Sequence, residues 1–580
     1  MKAQEISKKE ILKKVWTYIK SYQLLVIFSA ILALAVAVLS LYLPILVGEG
    51  IDKIVAPGQV DFSGLRRILN IIVVVTVLTS LLQWWMNRIN YKITYHVVGD
   101  IRKDVFLHLQ KLPLKYMDGH QVGDIVSRVI ADADQFADGL LLGISQLFSG
   151  CVTILGTLLF MLFLDPFIAV VVVLLTPLSL LVAKYIAQNT YHLFREQSVL
   201  KGEQTAYIEE MVGNLKLVQA FSSEERICEA FDEKNSQLEG CSLKAVFFSS
   251  LTNPCTRFVN SVVYAAVALC GAFVALKGGI TIGGLSSFLS YAKQYTKPFN
   301  EISGVITELQ SSLACAGRIF QLLEEKEQEP DPQDSVVLKE AEGLVEFSNV
   351  SFSYEPEQKL IQNLNLKVIP GQKIAIVGPT GCGKTTLINL LMRFYEVTKG
   401  EIKVDHKEIR KITRESLRKN YGMVLQETWL KEGTVAENIA MGRPTASREE
   451  IEAAAKASYC HGFIKRLPQG YDTYLTEDGG NLSQGQKQLL CIARIMLTLP
   501  PMLILDEATS SIDTRTEIKI QEAFGKLMEG RVSFIVAHRL STIRDADLIL
   551  VMKEGNIVEQ GDHDSLLKKK GFYYSLYYSD

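Results

Sequence analysis

Hydrophobic positions fall into two textures along this chain. In the first half they gather into long runs with little charge, at 24–47, 68–87, 140–164, 166–183, 258–276 and about 278–292. About 20 apolar residues in a helix match the roughly 30 Å of bilayer hydrocarbon, so the runs predict six membrane-spanning helices. Asp165-Pro166 makes a tight turn between the third and fourth, and Lys277-Gly278-Gly279 breaks the chain before the sixth. Between runs two and three, and between four and five, apolar residues keep helical spacing, as at Ile101, Val105, Leu109 and Leu112. Spanning helices that continue past the bilayer as two long hairpins, with tips at 119–123 and 211–214, are therefore expected. Two inserted soluble subdomains are the competing architecture. Ahead of the first run, Leu12, Val15, Trp16 and Ile19 recur within a lysine-rich segment, the pattern of a basic amphipathic helix on the inner membrane surface.

From Gly343 the runs shorten. Val345–Val350 and Asn365–Val368 alternate like strands of a small antiparallel sheet, while 373–377, 502–505 and 533–537 read as fully buried strands. Amphipathic helices lie between them. The predicted fold class is an all-α transmembrane domain of six helices followed by an α/β domain, which the G-x-x-x-x-G-K-[ST] pattern at 378–385 marks as a P-loop nucleotide-binding domain. Boundaries are placed at 1–320, a charged proline-bearing linker at 321–342, and 343–580.

Composition agrees with a membrane part joined to a soluble part: 48% of the 580 residues are hydrophobic and mean hydropathy is +0.17. A net charge of −2 gives no argument for a nucleic-acid partner. The nine cysteines form no C-x-x-C pair, so neither a zinc site nor a disulfide framework is suggested. Lysine and arginine crowd the N-terminus and the segment between runs two and three, whereas the turn at Asp165 has none; both termini are expected in the cytoplasm. Charges are scarce within the runs, and Gln83, Trp84, Gln146, Asn260 and Tyr264 are candidates to face a central cavity.

The chemistry begins at Gly378-Pro379-Thr380-Gly381-Cys382-Gly383-Lys384-Thr385-Thr386, which fits G-x-x-x-x-G-K-[ST] between a strand and a helix. Glycines let backbone N–H groups approach an anion, and the helix N-terminus and Lys384 add positive charge. Met502–Leu505 is a buried strand that ends in two acids. Asp506 suits Mg²⁺ together with the Thr385 hydroxyl, and Glu507 suits orienting or deprotonating an attacking water. His538 follows another such strand, where it can contact a γ-phosphate. Tyr354 could stack on a nucleobase or simply pack. Asn481-Leu482-Ser483-Gln484-Gly485-Gln486 precedes an amphipathic helix, which makes a second anion-binding helix start.

With these motifs the chain resembles an ATP-binding cassette (ABC) transporter of the exporter type, a half-transporter with its membrane domain first. The resemblance covers nearly the whole chain. It implies ATP and Mg²⁺ as cofactors and adenine stacking by Tyr354. It also makes Gln426 the glutamine that senses Mg²⁺, so that Thr385, Gln426 and Asp506 form the metal set. Ser483 to Gln486 match the signature that acts on a partner's ATP, Thr476–Gly479 the X-loop, Asp513 the D-loop, and Glu507 and His538 the catalytic pair. Regions 116–124 and 209–221 resemble the two coupling helices. Two positions depart from the family pattern: Gln484 replaces a signature glycine, and His406 stands where a turn glycine is common.

A chain with one cassette is expected to dimerise with a second half-transporter. That partner is either a copy or a related subunit, the latter suggested by the altered signature. The implied function is ATP-driven export of a hydrophobic or amphipathic drug-like, lipid or peptide substrate across the plasma membrane. An ATP-gated channel or regulatory subunit on the same fold, or an importer with an exporter-like fold, are the alternatives.

Overall fold

The computed structural model describes residues 7–56, 59–355, 360–425, 428–476, 479–506, 512–536 and 543–579. The chain divides into two compact units, one of residues 1–111 and 120–325, the other of residues 112–119 and 326–580.

The first unit is helical. An amphipathic α1 (Lys8–Lys20) precedes α2 (Gln23–Asp52) and α3 (Phe62–Leu109). After the short α4 (Leu114–Asp118), which belongs to the second unit, come α5 (Val122–Val129), α6 (Ala131–Leu142) and α7 (Phe148–Leu164). One π-helical stretch, Gly143–Leu147, joins α6 to α7 and carries Gln146. Next follow α8 (Pro166–Gly213), α9 (Leu215–Ala220), α10 (Glu224–Ser250), α11 (Thr252–Leu276) and α12 (Ile282–Glu324).

Among the described residues, four stretches are long and apolar enough to cross a membrane: Gln23–Asp52, Phe62–Leu109, Val122–Leu164 and Glu224–Leu276. The predicted run at 166–183 opens α8, whereas α12 starts at Ile282, four residues into the run expected at 278–292. The apolar start of α8 is the shorter Pro166–Pro177, and α12 is not among the four. α3 and α8 each hold 48 residues, about 72 Å of helix, so both run well past a bilayer. Helices fill both inner segments and leave no room for inserted subdomains, and the chain turns at the short α4 and α9.

Two contacts hold the spans in register. Tyr291 on α12 donates its hydroxyl to Leu41 O of α2, and Ser287 donates to Pro44 O at 2.7 Å. At one end of the spans, Asp52 accepts from the Thr281 hydroxyl at 2.7 Å and from Gly283 N at 2.8 Å. These hydroxyls satisfy polar groups where lipid offers no alternative.

The second unit is α/β. β1 (Val345–Phe352), β2 (Ile361–Val368), β4 (Lys399–Val404) and β5 (Lys407–Glu408) form an antiparallel sheet in the order β2-β1-β4-β5. β3 (Lys373–Val377), β6 (Tyr421–Val424), β7 (Met502–Asp506), β8 (Val532–Val536), β9 (Leu548–Lys553) and β10 (Asn556–Gly561) form a second sheet, ordered β10-β9-β3-β8-β7-β6. Only β10 is antiparallel to its neighbour. Successive residues of β7 enter different cores: Leu503 and Leu505 join one buried cluster, Met502 and Ile504 the other. A strand covered on both faces reads as an unbroken apolar run, which is why β3, β7 and β8 were visible in sequence, whereas β6, β9 and β10 were not.

The expected linker is partly docked. α12 continues to Glu324, and Asp331 accepts from Arg393 Nη1 at 3.1 Å and from Arg414 Nη1 at 2.8 Å. Both arginines are buried, and a buried guanidinium needs a carboxylate.

Candidate functional site

The phosphate loop connects β3 to α13 (Lys384–Leu391). β3 is a central strand, and its register brings Ile376 level with Val536 of β8, itself level with Asp506 of β7. The carboxyl ends of three parallel strands thus share one edge, where open α/β sheets place their ligands. Gly378 (φ +153°), Gly381 (φ +80°) and Gly383 (φ +101°) turn the loop. A side chain at Gly378 would run into Met552 O and Cys382 Sγ, so glycine is required there by space as well as by conformation.

Pro379, Thr380, Gly381 and Thr385 are exposed, whereas Cys382, Lys384 and Thr386 are buried. Lys384 donates from Nζ to Gly378 O at 2.8 Å and to Pro379 O at 3.1 Å. Among the described residues no carboxylate pairs with it. A buried ammonium held only by carbonyls, beside a helix N-terminus, fits a polyanion such as the phosphates of ATP. Asp506 is half-buried at the end of β7. One carboxylate with a hydroxyl suits Mg²⁺, which keeps waters and phosphate oxygens rather than a full protein cage.

Tyr354 lies beside this loop. Its hydroxyl donates to Thr386 Oγ1 at 3.3 Å and accepts from Asn389 Nδ2 at 3.2 Å. Its ring meets Phe352 and Tyr395 edge-on, each at 4.9 Å between centroids, and remains half-buried. Packing and proximity to the loop are therefore combined in one tyrosine.

Ser483 caps α14 (Gln484–Thr498). Its hydroxyl accepts from Gln486 N at 3.3 Å, and Gln486 Oε1 accepts from Ser483 N at 3.0 Å. This capping box holds the signature start rigidly and leaves Ser483 exposed. Gly485 is buried, and a Cβ there would meet Thr516 Cγ2 at 2.5 Å on α15 (Thr514–Met528). Gln484 donates from Nε2 to Thr428 Oγ1 at 3.1 Å, a tether that a glycine could not make. Asp513 caps α15 by accepting from Thr516 N at 3.0 Å, and these backbone hydrogen bonds hold its carboxyl below the usual range. Gln426, Glu507 and His538 lie outside the described residues, as do Glu477, Asp478, Ser510 and Ser511.

Of the candidates for a membrane cavity, Asn260 and Tyr264 line one between α11 and α12. Trp84 is 61% exposed against Trp85, and Gln83 donates to Asn87 Oδ1 on its own helix.

Family models for the ABC transporter transmembrane region and for the ABC transporter match residues 26–299 and 361–510. The chain is 40% identical over 568 residues to the uncharacterized ABC transporter ATP-binding protein YfiC of Bacillus subtilis (strain 168), covering 98% of this chain and 94% of that one. This chain belongs to the ABC transporters. Mycobacterium bovis has a relative named fatty acid ABC transporter ATP-binding/permease protein, 42% identical over 90% of this chain and 83% of its own length. A second Bacillus subtilis relative, putative multidrug export ATP-binding/permease protein YgaD, is 33% identical over 98% of this chain and 99% of that one. Among solved structures, a bacterial Atm1-family ABC exporter with ATP bound superposes with a TM-score of 0.77 at 27% identity, covering 96% of this chain and 98% of the other. The protein is a multi-pass membrane ABC exporter half-transporter, an ATP hydrolase coupled to transmembrane transport.

Proposed function

We propose that this ABC transporter works as a dimer, with a copy of itself or a related half-transporter, and exports hydrophobic or amphipathic molecules by alternating access. Thr385, Gln426 and Asp506 would hold Mg²⁺ at the ATP phosphates. Glu507 would orient or deprotonate the attacking water, and His538 would position it. Both termini would face the cytoplasm and the membrane would be the plasma membrane.

The observation that carries the pairing is the second hairpin tip. Val212, Leu217 and Phe221 are 65%, 56% and 76% exposed there, an apolar surface on the water side that a second polypeptide would cover. A single phosphate loop and a single signature per chain support the same reading. The substrate class is supported by the scarcity of charge in the spans and by the names of the fatty acid and multidrug relatives.

Directional uptake into inside-out vesicles, across a panel of hydrophobic drugs, lipids and peptides, tests it. Glu507→Gln should abolish steady ATPase activity and flux together while leaving ATP binding intact. Flux that survives without hydrolysis would favour the ATP-gated channel instead.

A further inference from the structure

The cavity between α11 and α12 has a volume of about 400 Å³ and two cations on its wall, Arg257 and Lys293. Arg257 immediately precedes the apolar run 258–276, and Lys293 immediately follows the run 278–292. Both therefore sit at the same ends of their spans, the cytoplasmic ends in the orientation proposed above. Lys293 Nζ lies 4.8 Å from the centroid of the Tyr264 ring, which fixes the ammonium without neutralising it. Among the described residues, no carboxylate pairs with either cation.

Deeper in the same cavity, Asn260 Oδ1 is buried and has no hydrogen-bond partner among the described residues, and Val263 and Ala292 supply apolar wall. Cations at a helix end often snorkel toward lipid head groups. Here both cations are exposed and also line a cavity, together with a buried acceptor that lacks a donor among the described residues. An unpaired buried acceptor is costly, so a ligand that brings a hydrogen-bond donor, such as a hydroxyl, would complete the site.

We propose that this cavity binds the head of an anionic amphiphile, with its phosphate on Arg257 and Lys293, an adjacent hydroxyl on Asn260, and its tail along the apolar wall. A single-chain glycerophosphate has this chemistry. The proposal rests on reading the first unit as the translocation domain, and it names a substrate class within it.

The test is equilibrium binding of radiolabelled lysophosphatidic acid to the full-length transporter in nanodiscs of zwitterionic lipid, without ATP. Saturable binding is expected. Lys293→Ala and Arg257→Ala should each weaken it about tenfold or more, as loss of a charge-assisted hydrogen bond does. Lys293→Arg should restore most of it, which separates lost charge from lost folding. Dodecyl phosphate, which lacks the adjacent hydroxyl, should bind more weakly, and Asn260→Ala should erase that difference. In discs containing phosphatidylglycerol, competition would identify resident lipid as the occupant, and no competition would identify a transported ligand; either outcome carries the site.

Equal competition by dodecyltrimethylammonium or dodecanol would overturn the proposal, as would unchanged binding in both alanine variants. Because binding is read without ATP, failure of ATP-driven export leaves this result standing. A pump active on neutral drugs but blind to the phosphate probe would sink only the anion site.

Discussion

Lys384 rests on Gly378 O and Pro379 O rather than on a carboxylate, so its charge is held in place by the loop that an incoming phosphate must enter. Lys384→Ala should weaken ATP binding by about tenfold or more in a fluorescent-nucleotide titration. Gln484 is different in kind. Its bond to Thr428 is exposed, and such bonds contribute little, so Gln484→Ala should change ATPase activity by less than about threefold. Cysteines give a third residue-level test. Burial pushes the Cys460 thiol up to about 12, while Cys228 is exposed. Iodoacetamide at pH 8 should label Cys228 in the folded protein and reach Cys460 only after denaturation, as peptide mass spectrometry would show. The phosphate loop was legible because its contacts are made by backbone within nine residues. The Gln484–Thr428 tether was not, because its partners lie 56 positions apart and neither side chain requires the other.

At the scale of elements, the crossing of α2 and α12 depends on Gly48 and Gly283. A side chain on either would strike the other's backbone, and small residues at such crossings let helices approach where lipid supplies no hydrophobic drive. Gly283→Val should lower the thermal unfolding midpoint, with overpacking costing about 1–3 kcal/mol. Gly99, exposed within α3 with open space where a Cβ would go, is the control: Gly99→Ala should leave the midpoint unchanged or raise it slightly. The strands of the second unit followed their apolar pattern closely. β1 departs from it at Asn349, which takes φ +49°; the pairing with β2 shifts on both sides of Val350, and Val350 and Phe352 return to the buried face. Helix ends were less legible. α12 runs past its expected end because charged residues tolerate helix as well as linker, and only the docking of Asp331 on buried arginines shows where the second unit begins.

For the whole molecule, the segment 112–119 belongs with the cassette unit although it lies between α3 and α5 in sequence. Leu114 packs against the cassette core, and Tyr395 donates its hydroxyl to Asp118. Burial, reinforced by that bond, keeps the Tyr395 phenol above its ordinary range, so it remains a donor through alkaline pH. Tyr395→Phe should leave ATP binding intact and reduce stimulation of ATPase activity by substrate, measured side by side in nanodiscs.

The sequence by itself determined the two textures, the long helices, the buried strands β3, β7 and β8, and the phosphate loop. Each of these is written in local periodicity or in a backbone motif that needs no distant partner. Only the tertiary structure decided that Gly485 must be small for Thr516, that Asp331 leaves the linker for Arg393 and Arg414, and that residues 112–119 pack with the cassette. It also decided that Arg257, Lys293 and Asn260 share one cavity. Those outcomes depend on side chains far apart in sequence meeting in space, and periodicity records which face a residue occupies but not what lies against it.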